Sequence, residues 1–233
     1  MIWEVVARLD LVPAYMFPPF SMVMVKMYHL MASGVLEDNF VASLARVLAG
    51  FALGSAAGIS MGILMGCKET MNRSLHPIFS LLYPIPVLGW APLLMIWVGI
   101  NDLLPVMLIF ICSFFPLLYN TITGIKGIDR DVIQAARVLG ASDKTILTTV
   151  ILPLAVPNIF TGLRLEAGMA WRVVIAAEMV AIPTGIGALL MRSESLLQVD
   201  VIIVCLIVLS LMCLLFERMF RYGETRLTYK WRG

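Results

Sequence analysis

The ionisable residues with the most unusual setting in this chain are Arg164, Glu166, Arg172 and Glu178, which punctuate an otherwise apolar stretch. Charges in such a stretch are costly against lipid and face a bundle interior or a water-filled cavity. At 100° per residue, Arg164 and Glu178 lie about 40° apart on a helix, and Arg172 lies about 80° from Arg164. Glu166 points nearly the opposite way. Two roles fit this pattern. Arg164 or Arg172 can attract an anionic solute in a translocation path, with Glu178, Trp90 and Trp171 lining it. Alternatively, opposite signs pair between helices and fix the packing of two protomers, and the occurrence of both signs together favours this second role. Trp90 and Trp171 serve equally well as packing residues.

Nothing in the sequence assembles a catalytic centre. His29 and His76 are far apart, and no HExxH, GxSxG or phosphate-binding glycine loop occurs. Cys67, Cys112, Cys205 and Cys213 lie in or beside apolar runs without CxxC or Cys/His spacing. They read as buried small hydrophobes, not as a zinc site or disulfide framework. The expectation is therefore no catalytic residue, no metal and no cofactor in this chain.

The elements that position these charges are membrane spans. Of 233 residues, 61% are hydrophobic and 14% charged, against about 45–50% and about 25% in soluble domains. Mean hydropathy is +0.94. A net charge of +2 gives no basis for nucleic-acid binding. A bilayer core of about 30 Å takes roughly 20 apolar residues of helix. Uncharged runs place five spans near 41–67, 77–99, 103–123, 155–181 and 197–217. In the first, Gly50, Gly54, Gly58, Gly62 and Gly66 recur every fourth residue, a stripe on which a neighbouring helix can approach closely in a compact bundle or a dimer. Pro84, Pro86 and Pro92 predict a kink or break near Tyr83–Pro86.

Lysine and arginine concentrate in 68–73, 126–144 and 217–233, the last including Lys230 and Arg232, whereas 33–39, 101–102 and 183–200 hold only Arg192. The contrast puts the first set, and the C-terminus, in the cytoplasm. Residues 1–40 read as an interfacial segment, because Arg8, Asp10, Lys26 and three prolines interrupt them. Ser21–Ser33 reads as an amphipathic helix on the outer surface. Residues 41–233 read as the transmembrane domain, with a cytoplasmic loop at 126–152.

That loop carries the strongest local signal. Asp129 or Asp131 can cap a short helix that runs to Leu139, and Gly140 ends it. Ser142 can cap a second helix before Pro153 and Pro157 lead into the next span. Ala135 and Ala136 give the projection a small face able to slot into a groove, a shape for docking.

The string Gln134-Ala135-Ala136, three residues, Gly140, nine residues, Val150, one residue, Leu152-Pro153 resembles the EAA motif of ABC importer permeases. It departs from that motif at Gln134, where the family has glutamate, and at Val150, where it has isoleucine. The resemblance runs from about Leu44 to Arg226. Leu81–Ile100, Phe114–Gly127 and Gly162–Met179 look like the branch that imports nitrate, taurine, alkanesulfonates and bicarbonate. It implies an all-α integral membrane fold of the type I importer permease, with about five transmembrane helices, in a prokaryotic cytoplasmic membrane. It implies two permease chains, here two copies of one chain, and two ABC ATPase subunits that bind ATP and magnesium. An extracellular binding protein delivers the solute. Gln134, Ala135, Ala136, Gly140, Leu152 and Pro153 would couple the ATPase to the spans by alternating access. The rival expectation is an ATP-independent secondary transporter or channel, which also uses intramembrane charges and broken helices.

Overall fold

The computed structural model describes residues 2–9, 13 and 15–228; Asp10, Lys230 and Arg232 lie outside them. All regular structure among these residues is helical. The elements are α1 (Ile2–Arg8), α2 (Phe20–Ala32), α3 (Val35–Cys67), α4 (Glu69–Leu82), α5 (Ala91–Val98), α6 (Leu103–Lys126), α7 (Arg130–Val138), α8 (Asp143–Ile146), α9 (Leu152–Ala181), α10 (Ile186–Ser195) and α11 (Val199–Thr228). Four helical stretches are long and apolar enough to cross a membrane: α3, α6, the continuous run Asp143–Ala181, and Val199–Arg226 within α11. The fifth candidate is a pair of helices, α4 and Val87–Val98, meeting at 88°.

The central contact is α3 on α6, and glycine makes it possible. A Cβ at Gly54 would lie 2.6 Å from the carbonyl oxygen of Phe110, and one at Gly58 would lie 2.5 Å from that of Phe114. The two backbones therefore touch with no side chain between them, as small residues permit in a membrane. The glycine stripe thus packs two helices of one chain. On its other side α6 packs against α9, and α9 against α11. The main core joins Leu104 and Leu108 of α6, Trp171 and Val174 of α9, Ile186 of α10 and Val204 of α11.

The span read at 77–99 is broken where Pro84 and Pro86 predict it, and helices α2 and α3 differ from the sequence reading. Proline lacks an N–H and disfavours helix in the residue before it, and Pro84-Ile85-Pro86 places two such breaks together, so the chain turns there by nearly a right angle. Helix α2 does not simply lie on a surface. Val23 is fully buried, and Met27 and Leu30 pack on the core that α11 and α3 share. Lys26 on α2 lies 3.7 Å from Asp200 of α11. Helix α3 also starts before residue 41, after Gly34 at φ 74°.

Candidate functional site

One end of the bundle carries the α7–α8 hairpin. Asp129 Oδ1 accepts the Asp131 N–H at 2.9 Å and caps α7. The helix closes in a Schellman motif: Ala141 N–H donates to Ala136 O at 3.1 Å and Gly140 N–H to Arg137 O at 2.9 Å. Gly140 takes φ +83°, a conformation that penalises a Cβ. Ser142 Oγ accepts the Thr145 N–H at 3.2 Å and starts α8. A π-helical turn, Leu147–Ile151, joins α8 to α9. Gln134 and Ala135 are exposed, Ala136 is half-buried, and Leu152 and Pro153 are half-buried in the first turn of α9. No residue of α7 is buried. Val138 and Leu139, both large and apolar, are 87% and 86% exposed at the tip. Nearby, Glu69 accepts from Arg73 at 3.0 Å and lies 3.7 Å from Lys126.

The opposite end is closed by a buried polar clamp that the sequence reading did not assemble. Asn39, Ser43 and Arg46 lie on one face of α3, at spacings of four and three. Arg46 Nη1 donates to Glu178 Oε1 at 2.6 Å and to Thr184 O at 2.7 Å. Its Nη2 donates to Thr184 Oγ1 and to Asp102 Oδ1. Ser43 Oγ donates to the Glu178 carboxylate and accepts the Ile186 N–H at 2.9 Å. Gly187 N–H donates to Glu178 Oε2 at 2.9 Å, and Gly185 N–H to Asn39 Oδ1 at 2.8 Å. Glu178 and Arg46 are 1% and 5% exposed. Gly185, at φ +111°, lies so close to the Glu178 carboxylate that a Cβ would overlap it.

The remaining charges line a cavity of about 390 Å³ between α9 and α11. Arg164 donates to Glu224 of α11 at 3.1 Å, and Arg221 donates to Glu217 at 2.9 Å. Arg172 meets only the Met169 sulfur at 3.5 Å among the described residues. Glu166 is buried and accepts from the Cys112 thiol at 3.5 Å.

These placements separate the residues grouped in the sequence reading. Glu178 and Arg164 do enter interhelical ion pairs, with Arg46 and Glu224. Trp171 is 1% exposed, stacked on Phe40 at 6.2 Å and edge-on to Phe216 at 5.5 Å, so it packs the core instead of lining a path. Trp90 ends the 3-10 turn before α5 and packs on the same core. Arg164 and Arg172 alone of the five reach the α9–α11 cavity.

A bundle of long apolar helices with a docking-shaped hairpin at one end defines a membrane transport component. Residues 54–229 match the family described as the binding-protein-dependent transport system inner membrane component. A putative ABC transporter permease of Methanocaldococcus jannaschii is 43% identical over 87% of this chain and 76% of its own. The taurine transport system permease protein TauC of Escherichia coli is 33% identical over 100% of this chain and 86% of its own. A putative aliphatic sulfonates transport permease of Bacillus subtilis is 32% identical over 100% and 84%. The crystal structure of an amino acid ABC transporter superposes with TM-score 0.64 at 21% identity, over 87% of this chain and 96% of that one, which shows the fold. This chain belongs to the ABC importer permeases: a multi-pass membrane subunit that works with an ATPase and a binding protein. The secondary carrier and channel find no support.

Proposed function

We propose that this permease imports a small solute bearing an anionic group, as two identical copies joined to two ATPase subunits. Taurine and aliphatic sulfonates in the names of two relatives support the solute class. Arg172, which has no carboxylate partner among the described residues, fits it, with Arg164 alongside in the α9–α11 cavity. The α7–α8 hairpin is the ATPase dock, and the observation that carries this reading is its tip. Val138 and Leu139 are almost wholly exposed on an element with no fully buried residue, and large apolar groups gathered in one exposed place mark a protein contact. In this reading the hairpin end faces the cytoplasm, as does the C-terminus, and the clamp end faces outward. Lysine and arginine at the hairpin end, at Lys68, Arg73, Lys126, Arg130, Arg137 and Lys144, support that orientation. The chain performs no chemistry; ATP and magnesium are held by the partner ATPase. Motion reaches the spans through Gln134, Ala135, Ala136 and Gly140, then Leu152 and Pro153 at the start of α9.

The test is affinity purification of the tagged chain with its co-purifying proteins identified. An ATPase recovered at about one copy per permease is the expected result, and Gly140→Leu, which forces a side chain into a left-handed backbone position, abolishes its recovery. Normal association and transport by that variant would refute the docking assignment.

A further inference from the structure

We propose that the exposed face of α9 is where a second copy of this chain sits, with Arg172 directed into a water-filled gap between the two copies. The inference rests on the two-copy importer reading above and adds which face makes the contact. Leu154, Asn158, Leu165, Met169, Arg172 and Met179 are all exposed. At 100° per residue they fall within about 80° of the circumference of α9, as one stripe along the helix. Ala170 and Val174, on the opposite side, are fully buried.

Charge and length limit what can cover this stripe. Arg172 stands nine residues (181 − 172) from the Ala181 end of α9, about 14 Å along the axis. It has no carboxylate partner among the described residues and meets only the Met169 sulfur. A guanidinium at that depth is costly against lipid and faces protein or water instead. Helix α11 differs: its exposed side chains include Leu206, Leu211 and Leu215, which hydrocarbon can cover. From Leu154 to Met179 the stripe runs 25 residues (179 − 154), about 37 Å. That exceeds the hydrocarbon core of about 30 Å. A small solute covers only a fraction of it, and an ATPase or a binding protein lies outside the bilayer. An occupant as tall as the bilayer is another membrane-spanning chain, and the importer reading supplies a second copy. Two-fold symmetry then sets the stripe opposite itself and brings two Arg172 side chains toward one another. Like charges cannot pack against each other out of water, so the gap at this level is hydrated. The α9–α11 cavity, bordered by Leu165, Met169 and Arg172, gives that water room. One copy alone therefore supplies only one wall of the path.

The experiment uses the purified permease–ATPase complex. Cys67→Ser and Cys213→Ala remove the two cysteines that are not buried, leaving Cys112 and Cys205 in the core. Into this background go Leu165→Cys, Met169→Cys and Arg172→Cys on the stripe, one at a time, and Leu215→Cys on α11. Each complex is treated with a short bis-maleimide. The expected result is a species of twice the 25.8 kDa chain from the stripe positions, and none from Leu215→Cys or from the background. Leu165→Cys and Met169→Cys keep every charge, so they decide the matter even where Arg172→Cys does not assemble. A charged, membrane-impermeant thiosulfonate should modify Arg172→Cys and spare Leu215→Cys; an unreactive Arg172→Cys in an assembled complex would overturn the hydrated gap. Absence of a cross-link from all three stripe positions, with or without one from Leu215→Cys, would overturn the contact face. In that case two copies of the chain per complex, counted by native mass spectrometry, would leave the importer reading standing. A single copy per complex would overturn the two-copy reading itself, and this inference with it.

Discussion

The Arg46–Glu178 clamp yields a quantitative expectation. Replacing Arg46 by Met removes the guanidinium and leaves Glu178, 1% exposed, with only the Ser43 hydroxyl and the Gly187 N–H as donors. It also leaves Thr184 O without its Arg46 donor. Breaking a buried ion pair from one side costs about 3–5 kcal/mol. Glu178→Met is milder, because Arg46 keeps Asp102 and Thr184 as acceptors; the loss of one charged hydrogen-bond partner is about 1–3 kcal/mol. The double variant Arg46→Met/Glu178→Met removes both charges together. Apolar replacement of a whole pair is close to neutral, offset here by the stranded Gly187 N–H, at about 1–3 kcal/mol. The double variant therefore loses less than Arg46→Met alone, and the cycle shows a coupling of at least about 1 kcal/mol. At about 2–4 °C per kcal/mol for a chain of this size, Arg46→Met lowers Tm by roughly 6–20 °C. Thermal unfolding of the four proteins in one mild detergent measures the cycle. An Arg46→Met Tm within about 3 °C of the native chain, or losses that simply add, would refute the view that these groups act as one buried unit.

Two further outcomes follow from local geometry. Gly58→Ala puts a Cβ 2.5 Å from Phe114 O, where ordinary contact begins at 3.4 Å, so α3 and α6 must part by about 0.9 Å (3.4 − 2.5); the expected loss is about 1–3 kcal/mol. Gly168→Ala, with nothing within 4 Å, is the control, and equal Tm values for the two would remove the glycine stripe as the reason for the close approach. At the α1–α2 junction the Ser21 N–H, the Ser21 hydroxyl and Arg8 hold the Glu4 carboxyl at about 2. A depressed carboxyl contributes fully above its unfolded value and loses that contribution as pH falls. Protection of the Ser21 amide, normalised to its intrinsic exchange rate, should thus hold down to about pH 4.5 and fade toward pH 2. Glu4→Gln removes this dependence, and a native chain already flat over that window would contradict the assignment.

What the sequence disclosed and what it hid divide by distance along the chain. The hairpin was legible because its caps and its glycine terminus act over a few residues, from Asp129 to Thr145, and each demands a particular residue type. The break after Leu82 was legible for the same reason, since two prolines flank one residue. The clamp was not. Arg46 stands 132 residues from Glu178 and 56 from Asp102, and helical periodicity gives the phase of one helix without saying which face of another it meets. A signal existed: Asn39, Ser43 and Arg46 form a polar stripe of i, i+4, i+7 at the start of an apolar helix, and membrane helices hold such stripes only where protein or water covers them. The same limit explains the charges of α9. Opposite signs on one helix suggested interhelical pairing without naming the partners, and Arg164 found Glu224, sixty residues away, while Glu178 found Arg46. Arg172 and Glu166 have no ion-pair partner among the described residues and meet only Met169 and Cys112. A charge in an apolar run announces that a partner must exist, and tertiary packing decides which; the charges left over once packing has chosen are those with capacity to meet a solute.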